Sequence, residues 1–90
     1  MGIKKRTISI NGIEIPEPER KELTRDTIYF IPNPLIIYET MGFTQYYWHY
    51  DNFDLYFLKK GLIHLTKEAA IQHAKALLSF TEIKDDATNN

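Results

Sequence analysis

The chain contains no cysteine, which excludes a disulfide framework and a thiolate metal site and favours a reducing compartment. Long apolar runs are also missing, and those that occur, such as residues 35–38, are far shorter than a membrane span. The four glycines form no glycine-rich phosphate loop. With 90 residues the chain is long enough for one hydrophobic core. We therefore expect a single cytoplasmic domain that has no membrane partner and is held together by packing alone.

Positive charge is absent from the middle of the chain, since no lysine or arginine occurs between Arg25 and Lys59. Eleven of the twelve aromatic residues lie in this stretch, all except Phe80. Its formal charges are the carboxylates of Asp26, Glu39, Asp51 and Asp54. Aromatic rings bury a large apolar area, so this stretch should supply most of the core, and surplus rings should face a partner. A surface without cations suits a basic partner.

The first half of the chain predicts β-structure. Residues 7–15 alternate apolar and polar positions around Asn11-Gly12, two residues that tolerate positive φ, and this pattern predicts a β-hairpin. The charged segment 17–25 follows two prolines and is expected to be an extended, solvated connector. An antiparallel meander is then predicted from three runs, residues 27–31, 35–40 and 44–50.

The second half predicts two helices, which makes the expected fold α+β. Asp51 can cap a short helix, with Asp54 three residues later and Gly61 as the stop. Thr66 can cap a longer helix that runs to about Phe80. We expect the hairpin and the meander to pack against these two helices. The predicted organisation is a flexible basic start over residues 1–6, a single domain over 7–83 and a disordered tail over 84–90.

The longer helix has an apolar arc wider than the roughly 100° needed to cover one sheet face. Two arrangements explain such an arc. The helix is wedged between the sheet and the short helix, or it also buries a flank against another molecule. The second arrangement permits a homodimer in which His73 and Phe80 meet their symmetry mates.

No catalytic residue, metal site or cofactor is predicted. The histidines His49, His64 and His73 fall on different predicted elements and have no metal-ligand spacing. On the flank of the longer helix, His73 is expected to be a partly buried imidazole with a hydrogen-bond partner. Asp51 and Asp54 form a close carboxylate pair, but their spacing is also what a helix start requires, so helix capping explains it better than hydrolysis. The serines lack a nucleophile elbow motif.

Strand alternation separates the aromatic run 46–50 into two faces. If Tyr46, Trp48 and Tyr50 face the core, Tyr47 and His49 face outward. Tyrosine is a frequent hot-spot residue, and nearby carboxylates would steer a basic protein towards it. The predicted partner-binding residues are Glu39, Tyr47, His49, Asp51 and Asp54.

Nucleic acid is a less favoured partner, because phosphate binding needs cations and the segment with the rings has none. The basic residues 4–6 could fold beside the rings and restore the missing charge. An aromatic platform for single-stranded nucleic acid therefore stays as the alternative.

Two stretches of the chain resemble known proteins. The first is Ile10-Asn11-Gly12-Ile13-Glu14-Ile15-Pro16-Glu17-Pro18, and the second is residues 58–77, which include Gly61-Leu62-Ile63-His64-Leu65-Thr66-Lys67-Glu68-Ala69-Ala70. They resemble small proteins encoded in phages and prophages of Gram-negative bacteria, a group without a defined activity. The likeness covers the two ends of the chain well and the aromatic middle poorly.

The resemblance implies a setting in which small phage proteins occupy a surface of a host machine, as anti-CRISPR proteins do with nucleic-acid-binding effector complexes. This is an analogy at the level of the family and transfers no catalytic residue. The expected function is a non-enzymatic, phage-derived module that binds a host protein with a basic surface in the host cytoplasm. The alternative is a nucleic-acid-binding accessory protein in phage recombination or replication.

Overall fold

The structure is a computed structural model that describes residues 6–35 and 42–80. Its elements are β1 (Thr7–Ile10), β2 (Ile13–Pro16), β3 (Ile28–Pro32), β4 (Phe43–Tyr47), α1 (Asn52–Lys59) and α2 (Lys67–Leu78). The strands form two antiparallel two-stranded sheets, β1-β2 and β3-β4. These two hairpins and two helices confirm the predicted α+β fold.

The N-terminal hairpin follows from its turn residues. Asn11 and Gly12 have φ of 52° and 80°, the positive values that a tight hairpin turn requires. The turn sets the register, in which Ile10 pairs with Ile13 and Ile8 with Ile15. Directly opposed residues share a face, so the apolar positions of both strands lie together, and Ile15 is buried.

The second hairpin pairs the first and third runs of the predicted meander directly with each other. Ile28 lies opposite Tyr47, and Pro32 lies opposite Phe43. Most of the intervening run, residues 36–40, lies outside the described residues, so the sheet described here has two strands. The predicted third run also ends earlier than expected, because β4 stops at Tyr47.

The core is built on three fully buried residues, Tyr29, Trp48 and Ile63. The Tyr29 ring lies edge-on to Trp48 at 6.0 Å and to Phe57 of α1 at 6.5 Å between centroids. Edge-to-face ring pairs at these distances are favourable beyond their buried area. The aromatic middle of the chain therefore supplies the two largest buried side chains, Tyr29 and Trp48, and Phe57 holds the short helix on them. The other buried hydrophobic residues come from outside this stretch, so it does not supply most of the core as expected.

The longer helix α2 packs against both hairpins, through β2, β3 and β4. Its side chains Ala70, Ala74 and Ala76 have no solvent exposure. Alanine has the smallest side chain that still favours a helix, so these positions let the helix approach both sheets closely. The wide apolar arc is thus explained within one chain, and the second surface that α2 covers is the N-terminal hairpin rather than the short helix.

The prediction of a solvated connector is wrong over residues 17–19, because these residues pack on the domain. The amide of Glu19 donates to the carbonyl of Ile63 at 2.8 Å, and the amide of Glu17 donates to the carbonyl of Arg6 at 3.0 Å. Pro18 between them is buried. A strand-like segment with proline and charges can still dock when alternate backbone groups find partners, which the charge pattern alone does not reveal.

The helix boundaries follow the predicted caps. Asp51 accepts from the Asp54 amide at 3.0 Å, and Thr66 accepts from the Ala69 amide at 3.2 Å. Gly61 has φ of 73° just after α1, the conformation of a helix stop. The predicted tail 84–90 and residues 1–5 of the predicted basic start lie outside the described residues.

Candidate interaction surface

The open end of the β3-β4 hairpin brings two loops together. Beyond the paired residues Ile28 and Tyr47, the Trp48 amide donates to the carbonyl of Thr27 at 2.9 Å, and the Asp26 amide donates to the carbonyl of Trp48 at 2.8 Å. These bonds place the turn at residues 25–26 beside the loop at residues 49–51. Side chains from two segments that are distant in sequence thereby come together at one end of the sheet.

The side chains at this end are mostly exposed. Tyr47 is 51% exposed, Tyr50 45% and Ile28 40%, and the Asp26 side chain is 73% exposed. We call this area the sheet-end surface and define it by Arg25, Asp26, Ile28, Tyr47, His49, Tyr50 and Asp51. Large exposed apolar side chains and exposed carboxylates therefore occur together at this end of the sheet.

A buried carboxylate holds the loop of this surface in place. Asp54 is 2% exposed, and its Oδ2 atom accepts from the amides of His49 at 2.7 Å and Asp51 at 3.1 Å. Its Oδ1 atom accepts from the hydroxyl of Tyr29 at 2.5 Å. The reciprocal bonds between Asp51 and Asp54 form a capping box at the start of α1. One side chain therefore joins the loop, the helix start and the core strand.

These contacts shift both ionisable groups in ways that keep the network intact at neutral pH. Burial alone would raise the pKa of Asp54, but the hydrogen bonds from Tyr29, His49 and Asp51 outweigh it and lower that pKa below its usual value. Burial, with the neighbouring Asp54 carboxylate, raises the pKa of Tyr29 far above its usual value. The tyrosine thus stays a donor and the aspartate stays a charged acceptor.

Two residues of the surface hold an uncommon backbone conformation. Asp26 has φ of 71° and Tyr50 has φ of 61°, which places both in the left-handed region. This region costs a residue with a Cβ about 1–2 kcal/mol, so it persists only where surrounding contacts fix it. For Tyr50 those contacts include its ring, which meets Trp48 edge-on at 5.5 Å. The hydrogen bonds of Asp54 and this ring contact therefore hold the loop in its left-handed conformation.

Charge on the sheet-end surface is mixed but carries more negative than positive groups. His49 Nε2 lies 3.2 Å from Asp26 Oδ1, and the Arg25 guanidinium lies over the Tyr50 ring at 5.5 Å from its centroid. The segment 26–58 has no cation of its own, yet Arg25, immediately before it, covers one of its rings. The exposed carboxylates of Asp26 and Asp51 outnumber this one arginine.

The predicted partner-binding residues are only partly brought together. Tyr47, His49 and Asp51 all lie at the open end of the β3-β4 hairpin and are exposed. Asp54 lies beneath them and is buried, so its role is to position the loop and not to contact a partner. Glu39 lies outside the described residues. Sequence reasoning did not include Asp26 or Ile28, although Ile28 directly faces Tyr47 in the register of a hairpin.

The two residues of the predicted dimer contact differ in exposure. Phe80 is 62% exposed just after α2, whereas His73 is 4% exposed and so cannot meet a symmetry mate. His73 Nδ1 instead lies 2.9 Å from His64 Nε2. Burial, with the neighbouring His73, lowers the pKa of His64 to about 4, and burial lowers the pKa of His73. A spacing of nine residues across a turn gives no sequence signal for this pair.

Across residues 6–35 and 42–80 no group of three or more metal-ligating side chains is arranged to hold an ion. Neither helix in that part of the chain has the length and apolarity to cross a bilayer. No protein-family model, curated protein or solved structure matches the chain.

Proposed function

We propose that the chain is a non-enzymatic protein-binding module that docks on a basic patch of another protein through the sheet-end surface. The observation that carries this proposal is that Tyr47, Tyr50, Asp26 and Asp51 are all exposed at one end of the sheet, where hydrogen bonds to Asp54 hold the loop at residues 49–51 in place. Tyrosines at a patch that loses its water on binding are frequent hot spots. A fixed loop loses little conformational entropy when it binds, which leaves more of the contact energy for affinity.

Charge supports a basic partner over an acidic one. Asp26 and Asp51 are exposed, and their negative charges would accelerate the encounter with lysine- or arginine-rich proteins. The resemblance of both chain ends to phage-encoded proteins supports a host protein as that partner. A host defence complex that binds nucleic acid is our proposed class, because its basic groove offers the complementary charge.

The experiment compares variants that remove a charge without disturbing the backbone. Asp51→Asn keeps a good helix cap, and Asp26→Asn keeps a residue that tolerates the left-handed conformation. The tagged protein captures partners from a Gram-negative host lysate, and the captured partner is purified. We expect the double variant to bind it with an association rate about tenfold lower at low salt, and Tyr47→Ala to weaken affinity about 10- to 30-fold.

The matched control is Glu68→Gln, which removes an exposed carboxylate in the first turn of α2. It should leave the association rate and the affinity within about twofold of the unaltered protein, as expected for a charge outside the interface. Equal losses in the control and in the double variant would show general charge attraction and contradict the proposal. The proposal would also be contradicted if every protein captured by the unaltered chain were captured equally well by the Tyr47→Ala variant, or if no protein were captured.

A further inference from the structure

Two cavities lie on either side of the docked segment that contains Pro18, Glu19 and Arg20, which lines both. The first has a volume of about 610 Å³ and reaches His64, and the second has a volume of about 460 Å³ and reaches His73. The buried histidine pair thus lies in the wall between them. The two cavities share the wall formed by this segment, and neither is lined by a residue of the sheet-end surface.

The side chains around these cavities are strongly basic. The cations are Arg6, Arg20 and Lys21 at the first cavity and Arg20, Lys59 and Lys60 at the second. Two carboxylates, Glu17 and Glu19, accompany these five cations, although the whole chain has a net charge of −1. The fold has therefore gathered positive charge that is scattered along the sequence into one face, which we call the basic face.

Little of this positive charge is neutralised by neighbours. Arg20 forms an ion pair with Glu17. The other four cations have no carboxylate within ion-pair distance in the part of the chain that the structure describes. Unpaired cations around a concave surface create a positive potential that attracts phosphate groups and other anions.

Exposed rings continue the basic face at the end of α1. The ammonium group of Lys60 lies over the Tyr56 ring, 5.6 Å from its centroid. Tyr56 is 55% exposed, and Phe53, one helical turn earlier, is 69% exposed. Neither ring is needed to close the core, since Phe57 is the α1 ring that packs on the buried cluster. Exposed rings, each in contact with Phe57, therefore adjoin cations at the end of one helix.

We propose that the basic face binds single-stranded nucleic acid, with the phosphates along Lys60, Lys59, Arg20, Lys21 and Arg6 and bases stacked on Tyr56 and Phe53. Sites for single strands combine a positively charged groove with ring platforms in this way. A duplex keeps its bases stacked inside and could use the cations alone. An acidic protein would also use the cations but gains no comparable stacking on the rings. This site is independent of the proposed protein-binding function.

The test is fluorescence anisotropy with a labelled oligothymidylate of about 15 nucleotides, a length that one such site can cover. We expect binding at about 50 mM salt that weakens steeply as salt rises, because counterions are released from the strand. Lys59→Glu should weaken binding about tenfold and lower the slope of log Kd against log salt by about 0.7 for the lost phosphate contact. Tyr56→Ala should weaken it about 5- to 100-fold, the range for losing one stacked base.

Lys75→Glu is the matched control, because Lys75 occupies the last turn of α2 as Lys59 occupies the last turn of α1, and both are exposed. It should bind within about twofold of the unaltered protein. Three results would overturn the proposal: no binding at low salt, equal loss in the two lysine variants, or tighter binding of a polyglutamate peptide than of the oligonucleotide. Failure here leaves the sheet-end surface untouched, since none of these variants alters it.

Discussion

Asp54 determines the geometry of the sheet-end surface although it never reaches the solvent. Its carboxylate accepts one hydroxyl and two amide hydrogen bonds and also belongs to the helix cap. Hydrogen bonds to a charged group contribute about 1.5–3 kcal/mol each and are costly when one partner is lost in a buried place. The residue therefore couples the fold of α1 to the shape of the loop that carries His49, Tyr50 and Asp51.

We predict that Asp54→Asn lowers the free energy of unfolding by about 3 kcal/mol. The amide keeps the shape of the side chain but loses the negative charge. Its NH2 group replaces one accepting oxygen and faces either the amides of His49 and Asp51, which also donate, or the Tyr29 hydroxyl, which must then turn to accept. Asp26→Asn, at an exposed position, should change stability by less than about 0.5 kcal/mol. Urea unfolding followed by the fluorescence of Trp48, the only tryptophan, measures both. Similar stabilities for the two variants would refute the organising role of Asp54.

The His64–His73 pair makes the fold sensitive to acid. Both rings are buried and share one hydrogen bond, an arrangement that favours the neutral forms. The charged groups that line the two cavities beside them are mostly cations, with Glu17 and Glu19 as the exceptions, so the surroundings also oppose a further positive charge. In the unfolded chain each histidine regains its ordinary pKa near 6.5.

We predict that stability decreases as pH falls from about 6.5 towards 4, because in this window the unfolded chain binds protons that the folded chain excludes. By about pH 5 the loss should be about 1–2 kcal/mol. Asp54 acts in a different window, since its lowered pKa keeps its stabilisation in place down to its ordinary value of 3.8. Urea unfolding at several pH values gives the slope.

The double variant His64→Phe, His73→Leu removes both titrations and provides the control for this prediction. Its stability should change little between pH 6.5 and 5, whatever its absolute value. A slope equal to that of the unaltered protein would assign the acid sensitivity to other groups.

At the scale of elements, local signals predicted what depends on local physics. The Asn11-Gly12 turn, the caps at Asp51 and Thr66 and the stop at Gly61 each rest on backbone conformations within a few residues, and each is found where the sequence places it. The docking of the connector and the second surface under α2 depend on long-range contacts that no spacing encodes. Those were the features that the sequence did not predict correctly.

The candidate site was predictable to the same limited degree. Strand alternation correctly separated the exposed Tyr47 from the buried Trp48, but it placed Tyr46 and Tyr50 on the core face, and both are exposed. It could not show that Asp54 turns inward to Tyr29, because capping and partner binding both require a carboxylate at that position. Nor could it show the basic face, since Arg6, Arg20 and Lys59 are far apart in sequence and meet only through the docked segment.

At the scale of the whole molecule, α2 links two hairpins that do not pair with each other. It packs on β2 of the first and on β3 and β4 of the second. The Asn11 side chain adds a tie by donating to Ser79 Oγ at 2.9 Å, just beyond the helix end. Because the helix has buried positions towards both sheets, neither hairpin can separate without exposing one of its faces. We therefore expect the domain to unfold as a single unit.

Gly12→Ala tests this coupling, because it disturbs the first hairpin alone. Gly12 has φ of 80° and open space around the position of a Cβ, so the substitution costs backbone conformation only, about 1–2 kcal/mol. We predict that this loss appears undiminished in the unfolding transition of Trp48, which lies in the core of the second hairpin, and equally in the helical circular dichroism. Gln72→Ala, on the exposed face of α2, should shift neither signal. If the Trp48 transition stayed in place while the first hairpin weakened, the two hairpins would be unfolding independently, and α2 would be attached to one of them rather than joining both.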